Sequence, residues 1–190
     1  PFLLDEQDTV DLVQCSEKYV RLVEILEEIF DQQQKAIIFT SFTKMSDLLE
    51  ADLTKRFSIP CSQIDGRTPV SYRQSLIDTF SAITGTAFLV LNPRAAGTGL
   101  NITAANHVVH YNLEWNPAIE DQASARAYRK GQTLPVTVHR LFYPNTVEEV
   151  IDDRIERKRR LADAAVVGIE AADGDTEDIA RALTISPITK

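Results

Sequence analysis

The stretch Ala36-Ile-Ile-Phe-Thr-Ser41 is an apolar run that ends in two hydroxyl side chains. A run without polar alternation is typical of a strand that is buried on both faces of a parallel sheet. A helical pattern through Leu48, Leu49 and Leu53 follows, and a second strand is predicted near Cys61–Ile64. This order of strand, helix and strand predicts an α/β fold.

The alternation of strands and helices continues along the chain. Further strands are predicted at residues 87–91, 107–111 and 136–143, and helices at 16–34, 69–80, 116–130 and 146–165, with a weak helix at 179–183. The last long helix is expected to begin at Thr146-Val-Glu-Glu149, which matches a capping box. We therefore expect a parallel sheet sandwiched by helices, in which ligands collect at the carboxyl ends of the strands.

Length and charge divide the chain into four segments. At 190 residues it is large enough for one domain with appendages. We expect an acidic linker and helix at 1–34, the α/β lobe at 35–143, a closing basic helix at 144–167 and an acidic tail at 168–190. The net charge is −8, but residues 35–167 carry 14 acidic and 16 basic side chains. A mildly basic body between acidic flanks permits nucleic-acid binding without demanding it.

Composition disfavours several classes of protein. No apolar run approaches the roughly 18 residues of a membrane span, and we expect no membrane partner. No signal-peptide pattern opens the chain, and Cys15 and Cys61 are too few for a disulfide framework. We expect an intracellular setting, in the cytoplasm or nucleoid if the protein is prokaryotic. His107 and His110 stand three apart on a predicted strand and face opposite sides, so no metal site is expected.

The arginine segment, residues 122–132, is the densest functional signal. Its helix is predicted to begin at Asn116-Pro117, an N-cap with a proline after it, and to end at Lys130-Gly131. Spacings of three and four residues then place three side chains on one helical face: Gln122, Arg126 and Arg129. Two forked guanidinium groups on one face suit a polyphosphate or a carboxylate. The alternative is an ordinary amphipathic helix with surface arginines.

Polar and glycine-rich loops follow the predicted strands. They contain Thr40-Ser41, Gly66-Arg67-Thr68, residues 92–101 and Trp115-Asn116. Gly97 and Gly99 permit close backbone approach to a phosphate, although a plain turn is an equally good interpretation. Trp115 is the only tryptophan, and both burial and exposure for stacking stay open. No Walker A motif occurs, and we interpret the acidic pair Asp5-Glu6 as accidental.

In this order the motifs resemble those of the second ATPase lobe of the Swi/Snf family of superfamily-two DNA translocases. The strings that carry the resemblance are Pro1–Leu4, Ser16-Glu-Lys18, Ile37–Phe42, Ile64-Asp-Gly-Arg-Thr68 through Arg73, Arg94–Thr103, Trp115-Asn-Pro117, Gln122–Gln132 and Thr146-Val-Glu-Glu149. There are two departures from the family pattern. Ala96 replaces a glycine, and Asn92-Pro93 replaces the usual serine followed by threonine or lysine.

The resemblance implies a RecA-like lobe, the helicase C-terminal lobe, that closes on a first ATPase lobe of the same polypeptide. ATP and Mg²⁺ would bind in the cleft between the lobes, and double-stranded DNA would lie across both. Arg126 and Arg129 would be catalytic, as arginine fingers at the γ-phosphate. The cofactor-binding residues would be Gln122, Gly97 and Gly99. The DNA-binding residues would be Thr40, Ser41, Arg67, Thr68 and Arg94 at the phosphates, and Trp115 and Asn116 at the groove.

Two other functions stay open on the sequence. A strand-separating superfamily-two helicase is disfavoured by Ala125, which replaces a glycine of the helicase arginine motif, and by the Trp115-Asn-Pro117 element. A non-catalytic docking module is disfavoured because both arginines of the segment are retained. The chain by itself is predicted not to hydrolyse ATP, because it holds no phosphate-binding loop.

Overall fold

A computed structural model of the protein describes residues 16–95 and 99–165, with side chains as far as residue 160. Its helices are α1 (Glu17–Asp31), α2 (Thr43–Phe57), α3 (Val70–Ala82), α4 (Pro117–Ser124) and α5 (Val147–Ala165). Its strands are β1 (Lys35–Phe39), β2 (Cys61–Ile64), β3 (Ala87–Leu91), β4 (His107–His110) and β5 (Thr137–Arg140). Within these ranges, no helix combines the length and apolarity that crossing a membrane requires.

The five strands form one sheet in which every neighbouring pair is parallel. Their order is β2-β3-β1-β4-β5, so β1 lies in the centre. Ile38 of β1 stands beside Val90 of β3 and Val109 of β4. Because all strands run the same way, the loops that follow them meet at one edge of the sheet. The predicted parallel α/β sheet is confirmed.

Helices cover both faces of the sheet, as predicted. Along β1, Ile38 packs with residues of α1 and α2, whereas Ile37 and Phe39 pack with residues of α3 and α4. All three side chains are fully buried. Burial on both faces explains why β1 and β3 are continuous apolar runs in the sequence.

The N-terminal helix joins this core and also holds the last helix. Tyr19 and Leu26 of α1 are fully buried. Ser16 caps the helix, because its hydroxyl accepts a hydrogen bond from the N–H of Tyr19 at 3.2 Å. Lys18 Nζ lies 2.5 Å from the carboxylate of Glu148 in the first turn of α5. The flanking helices α1 and α5 are thereby tied to each other.

The predicted capping box of α5 forms in a shifted pattern. Thr146 Oγ1 accepts from the N–H of Glu148 at 3.2 Å, and the carboxylate of Glu149 accepts from the N–H of Asn145 at 2.5 Å. In the usual box the threonine accepts from the third helical residue, and the glutamate accepts from the threonine's own N–H. Both contacts have therefore moved one residue towards the N-terminus.

The helix predicted over residues 116–130 ends at Ser124. The N–H of Arg126 reaches back only three residues, to the carbonyl of Ala123 at 3.1 Å. The carbonyl of Arg126 accepts from the N–H of Ile102 at 3.0 Å, and this tertiary bond takes the acceptor that a longer helix needs. The arginine segment therefore leaves α4 in a series of turns. The prediction of one shared helical face is wrong for Gln122, Arg126 and Arg129.

Strand β5 is shorter than the predicted 136–143. Its pairing ends at Arg140, opposite His110, the last residue of β4. One further bond joins the N–H of Leu141 to the carbonyl of His110 at 3.0 Å. The weak helix predicted at 179–183 lies outside the described residues.

Candidate functional site

The loops after the strands are bonded to one another at the carboxyl edge of the sheet. The backbone N–H of Asn92, after β3, donates to the carbonyl of Ile64 at 2.9 Å. Its side-chain amide donates to the carbonyl of Ser41, after β1, at 3.2 Å. The hydroxyl of Thr40 donates to the side-chain oxygen of Asn112, after β4, at 2.7 Å. Four strand ends thus form one surface, as the sequence predicts.

Arg73 of α3 joins two of these loops. Its side chain is buried and donates to three backbone carbonyls, those of Thr68 at 3.0 Å, Ala95 at 3.2 Å and Asp65 at 3.3 Å. The sequence reasoning gave Arg73 no function of its own. A signal was present, because Arg73 shares a helical stripe with the buried Ile77 and Phe80, four and seven residues later.

Gln132 fixes the course of the arginine segment. Its side-chain amide donates to three backbone carbonyls, those of Ala105 at 2.8 Å, Thr103 at 3.1 Å and Ala127 at 3.4 Å. Together with the bond from Ile102, these contacts make the arginine segment and the end of the glycine-containing loop one unit. Gln132 is the last residue of the arginine segment, and its contacts make it a positioning residue.

Arg126 and Arg129 lie near each other, with no ion-pair partner in the described ranges. Arg126 is 9% exposed, and its Nε has no hydrogen-bond partner there. Arg129 is exposed and donates through Nη1 to the carbonyl of Gly99 at 3.3 Å. Burial, and secondarily the charge of Arg129, lower the pKa of Arg126. A buried guanidinium with an open donor beside a second cation favours the binding of an anion.

The other residues predicted for the nucleotide site have different surroundings. Gly99 is exposed and has a φ of +82°, a left-handed conformation that glycine adopts without steric cost. Gln122 is exposed on α4, about one turn before Arg126. Gly97 lies outside the described residues.

The two hydroxyl groups after β1 are bonded within the chain. Thr40 is 1% exposed and donates to Asn112, so it does not reach the surface. Its burial and this bond disfavour a contact between the Thr40 side chain and a DNA phosphate, and the contact stays a prediction. Ser41 is partly exposed and bonds to the carboxylate of Glu114, an anionic neighbour that opposes the approach of a phosphate.

Arg67 lies in a cluster with two carboxylates, which we call the Arg67 cluster: Arg67, Asp47 and Asp65. Its guanidinium donates to Asp65 at 2.6 and 2.9 Å and to Asp47 at 2.5 and 3.0 Å. The bonds from Arg67 lower the pKa of both carboxyl groups. One cation with two anions has a formal charge of −1, so the cluster as it stands does not attract a phosphate.

Two further predicted DNA contacts, Thr68 and Arg94, keep accessible side chains. Thr68 is partly exposed, and its hydroxyl accepts from the N–H of Asp65 at 3.1 Å. Arg94 is exposed after β3, where its backbone N–H donates to the side chain of Asn92 at 3.0 Å. Within the described part of the chain, Arg94 forms no ion pair, which distinguishes it from Arg67.

The loop after β4 presents Trp115 and Asn116. Trp115 is 42% exposed, and the guanidinium carbon of Arg154 on α5 lies 5.6 Å from its ring centre, within the range of a cation–π contact. The sequence left core and surface positions open, and the structure places this ring at the surface. Asn116 caps α4 as predicted, because its side-chain oxygen accepts from the N–H of Ala118 at 3.1 Å.

The histidines of β4 face opposite sides of the sheet, as predicted. His110 is buried, and its Nε2 lies 2.9 Å from Ser124 Oγ. Burial lowers its pKa to about 3, so the ring is neutral. His107 contacts Gln34 and His139 instead. The described ranges contain no group of three side chains suited to a metal ion.

A parallel five-stranded sheet with helices on both faces is the form of a RecA-like helicase lobe, and Arg126 and Arg129 have no ion-pair partner among the described residues. Residues 17–131 match the family model of the helicase conserved C-terminal domain. The crystal structure of the C-terminal part of the Fun30 ATPase domain has a TM-score of 0.73 and 33% identity, covering 78% of this chain and 48% of that one. The Sulfolobus solfataricus SWI2/SNF2 ATPase core in complex with dsDNA has a TM-score of 0.63 and 36% identity, covering 77% and 30%.

Two curated relatives agree with these structures. The putative ATP-dependent helicase/translocase YwqA of Bacillus subtilis is 39% identical over 86% of this chain and 18% of its own length. The SWI/SNF-related matrix-associated actin-dependent regulator of chromatin subfamily A member 1 of Mus musculus is 40% identical over 85% and 15%. This chain belongs to the Swi/Snf family of superfamily-two ATPases, as a C-terminal helicase lobe. It spans less than a fifth of the length of either relative.

Proposed function

We propose that this chain is the second motor lobe of an ATP-dependent translocase on double-stranded DNA. Arg126 and Arg129 complete an ATP site whose other half is a first lobe of the same polypeptide. The observation that carries the proposal is the open donor of Arg126, a guanidinium that is 9% exposed and lies near a second cation. We expect the protein to act inside the cell, where ATP and DNA occur together.

The chemistry expected of these arginines follows from phosphoryl transfer. In the transition state, negative charge spreads over the γ-phosphoryl oxygens and the leaving group, and a guanidinium placed there lowers the barrier. Arg126 is positioned before ATP arrives, because Ile102 and Gln132 hold its segment. Arg129 has one bond to the Gly99 carbonyl, which an incoming phosphate can replace.

Mg²⁺ bound with ATP neutralises charge on the β- and γ-phosphates. The described residues offer no cluster of carboxylates for this ion, so we assign it to the nucleotide and the first lobe. Gln122 and the glycines at 97 and 99 are proposed to face the nucleotide from this lobe.

Contacts within the chain reduce the number of residues that we propose for the DNA surface. Thr68, Arg94, Trp115 and Asn116 keep exposed or partly exposed side chains. Ser41 and Arg67 become candidates only if their carboxylate partners move away. Contacts to phosphate fix the position of a protein on DNA without reading its sequence, so we expect tracking that is indifferent to sequence. A solved relative that was captured with dsDNA supports this partner.

The test is DNA-stimulated ATP hydrolysis by the parent enzyme carrying Arg126→Ala or Arg129→Ala. We expect a rate loss of about 10³–10⁵, as found for arginine fingers in other enzymes. DNA binding and the circular dichroism spectrum should stay near those of wild type. Arg21→Ala is the matched control, because Arg21 is an exposed arginine whose ion pair in the described structure is with Glu24 of the same helix. Rates within a few-fold of wild type in both folded variants would mean that Arg126 and Arg129 are ordinary surface arginines.

Two further measurements separate the alternatives. The 190-residue chain by itself should release no phosphate from ATP, with or without DNA. Turnover that disappears on Asp5→Asn or Glu6→Gln would contradict this expectation. A relative is named as both helicase and translocase, so the parent enzyme should also be given a forked duplex. ATP-driven displacement of a protein block without strand separation is the expected result, and unwinding of the fork would favour the helicase.

A further inference from the structure

We infer that Glu120, in the middle of α4, is a positioning residue that sets the location of Arg126 through an ion pair with Arg140. The inference rests on the proposed function, because it assigns a purpose to the residues that hold the arginine segment. The sequence motifs assigned no function to Glu120 or Arg140.

Glu120 is a fully buried carboxylate with partners on three elements. One oxygen accepts the backbone N–H of Glu114, in the loop after β4, at 3.0 Å. The other accepts from Arg140 Nε on β5 at 3.2 Å and lies 3.6 Å from Arg159 Nη2 on α5. Burial raises the pKa of Glu120, whereas the Glu114 N–H and the two arginines oppose this shift. The carboxylate thus depends on its partners to stay charged inside the protein.

Arg140 extends the contact to the closing helix. Its side chain is 15% exposed, and on α5 its Nη1 donates to Glu156 at 3.2 Å and lies 2.7 Å from Asp152 Oδ1, a close ion pair without hydrogen-bond geometry. The guanidinium therefore stands between a carboxylate of α4 and two carboxylates of α5. A planar fork fixes direction as well as distance, which apolar packing does not. The relative position of α4 and α5 is specified by this group.

The short helix α4 transmits this position to Arg126. It has only eight residues and is held at its start by the Asn116 cap, in its middle by Glu120 and at its end by Ser124, which bonds to His110 at 2.9 Å. Arg126 follows two residues later. A shift of α4 by a fraction of an ångström moves the start of the arginine segment with it. Misplacement of a reacting group by about 1 Å costs roughly 10²-fold in rate.

An apolar residue at position 120 would be the simpler way to fill this site, because buried ion pairs seldom stabilise a fold more than apolar packing does. A directional network is expected where geometry matters more than stability. The inference is that Glu120 and Arg140 maintain the geometry of Arg126, and that α5 takes part in the same alignment through Asp152 and Glu156.

The experiment uses the parent enzyme with Glu120→Gln. Glutamine keeps the volume and can still accept the N–H of Glu114, but it loses the charge that pairs with Arg140. We expect kcat for DNA-stimulated ATP hydrolysis to fall about tenfold while KM for ATP changes less than twofold, since a smaller displacement than 1 Å acts on the transition state. Glu24→Gln is the control. Glu24 is a 51% exposed carboxylate of α1 that pairs with Arg21 at 2.7 Å, so the kcat of this variant should stay within twofold of wild type.

The decisive measurement is a double-mutant cycle with Arg126→Ala, followed by single-turnover hydrolysis so that slow rates are measurable. If Glu120 acts through Arg126, Glu120→Gln has no further effect once Arg126 is alanine. An equal loss in both backgrounds, or a wild-type kcat in Glu120→Gln, overturns the inference and leaves the arginine-finger proposal standing. A wild-type kcat in Arg126→Ala overturns the proposed function itself.

A second variant tests the inference if Glu120→Gln does not fold. Arg140→Lys keeps the charge but replaces the fork by a point contact, and the fold is expected to survive. We expect kcat to fall by about threefold to tenfold in this variant, with the same disappearance of the effect in the Arg126→Ala background. A folded Arg140→Lys enzyme with wild-type kcat would also overturn the inference.

Discussion

Arg67 lies in the loop that follows β2, and Arg126 lies in the segment between α4 and β5, and the surroundings of the two arginines are opposite. Arg67 donates four hydrogen bonds to two carboxylates, although its side chain is 55% exposed. Arg126 is 9% exposed, and its Nε has no partner among the described residues. The exposed guanidinium is neutralised, and the buried one is left with an open donor.

The comparison shows that exposure is a poor guide to which cation serves a ligand. An exposed arginine can be satisfied by local carboxylates at little cost, because water screens its own charge and that of Asp47, although Asp65 is buried. A buried arginine without a carboxylate is unfavourable unless an anion joins it, so it persists where a ligand binds. Arg126 therefore carries the functional proposal, and Arg67 does not.

Lysine substitution in the parent enzyme tests the difference between Arg67 and Arg126, and it is expected to have the largest effect. Arg126→Lys keeps the charge and loses the fork, so kcat should stay at least about 10²-fold below wild type. Arg67→Lys should change kcat less than threefold, because the two carboxylates accept a point charge as well. Steady-state ATP hydrolysis at saturating DNA gives both numbers. Full rescue by lysine at position 126 would mean that charge alone is needed there.

Arg73 adds a third arginine to the comparison, one whose partners are backbone carbonyls. Arg73→Met would leave the carbonyls of Asp65, Thr68 and Ala95 without this donor inside the protein. We expect the free energy of unfolding to fall by about 2–4 kcal/mol. Urea denaturation of the chain should show a lower midpoint with an unchanged slope. Arg21→Met, at an exposed ion pair, should cost less than about 0.5 kcal/mol.

A smaller effect is expected in DNA binding. Arg94→Ala should reduce the slope of log K against log salt by about 0.9 in magnitude, which is the loss of one phosphate contact. Arg67→Ala should change the slope by clearly less, because Asp47 and Asp65 already neutralise its charge. Fluorescence anisotropy of the parent enzyme with labelled duplex DNA, over a salt series, measures both. Equal reductions would mean that the Arg67 cluster opens when DNA binds.

The smallest effect is a pH dependence of stability in the Arg67 cluster. Bonding to Arg67 lowers the pKa of Asp47 and Asp65 below the ordinary value of 3.8. A lowered folded-state pKa adds stability above the unfolded pKa, and this stability is lost as the pH falls through the folded value. The difference in unfolding free energy between wild type and Arg67→Gln should therefore be constant above about pH 5 and shrink below about pH 4. A difference that does not change between pH 3 and pH 7 would contradict the ion pairing.

Much of the fold was predictable because its signals are local. Strands β2, β3 and β4 fall inside the predicted runs, and β1 begins one residue before its predicted run. The start of α4 was also predictable, since Asn116 and Pro117 satisfy its first turn through their own chemistry. The order of the motifs along the chain was enough to indicate the family.

The course of the chain after α4 was not predictable, because it depends on contacts from elsewhere in the chain. Ile102 is 24 residues from Arg126 in sequence, and its N–H donates to the Arg126 carbonyl, two residues after the helix ends at Ser124. Helical periodicity through residue 130 describes only what the segment would do alone. The carbonyl groups that the Gln132 amide binds were equally unpredictable, since an amide side chain in a sequence gives no sign of its partners.

By itself, the sequence determined which segments are strands, which loops meet at the carboxyl edge and which family the motifs resemble. These properties depend on residues close together in the chain, or on a parallel order that leaves only one edge for the loops. Only the tertiary structure decided which polar groups of the candidate site are already bonded. Thr40 reaches Asn112, Arg67 reaches Asp47, and Arg126 Nε finds no partner in the described part. Hydrogen bonds and ion pairs act over about 3 Å, so the assignment of each group depends on neighbours that come together only when the chain folds.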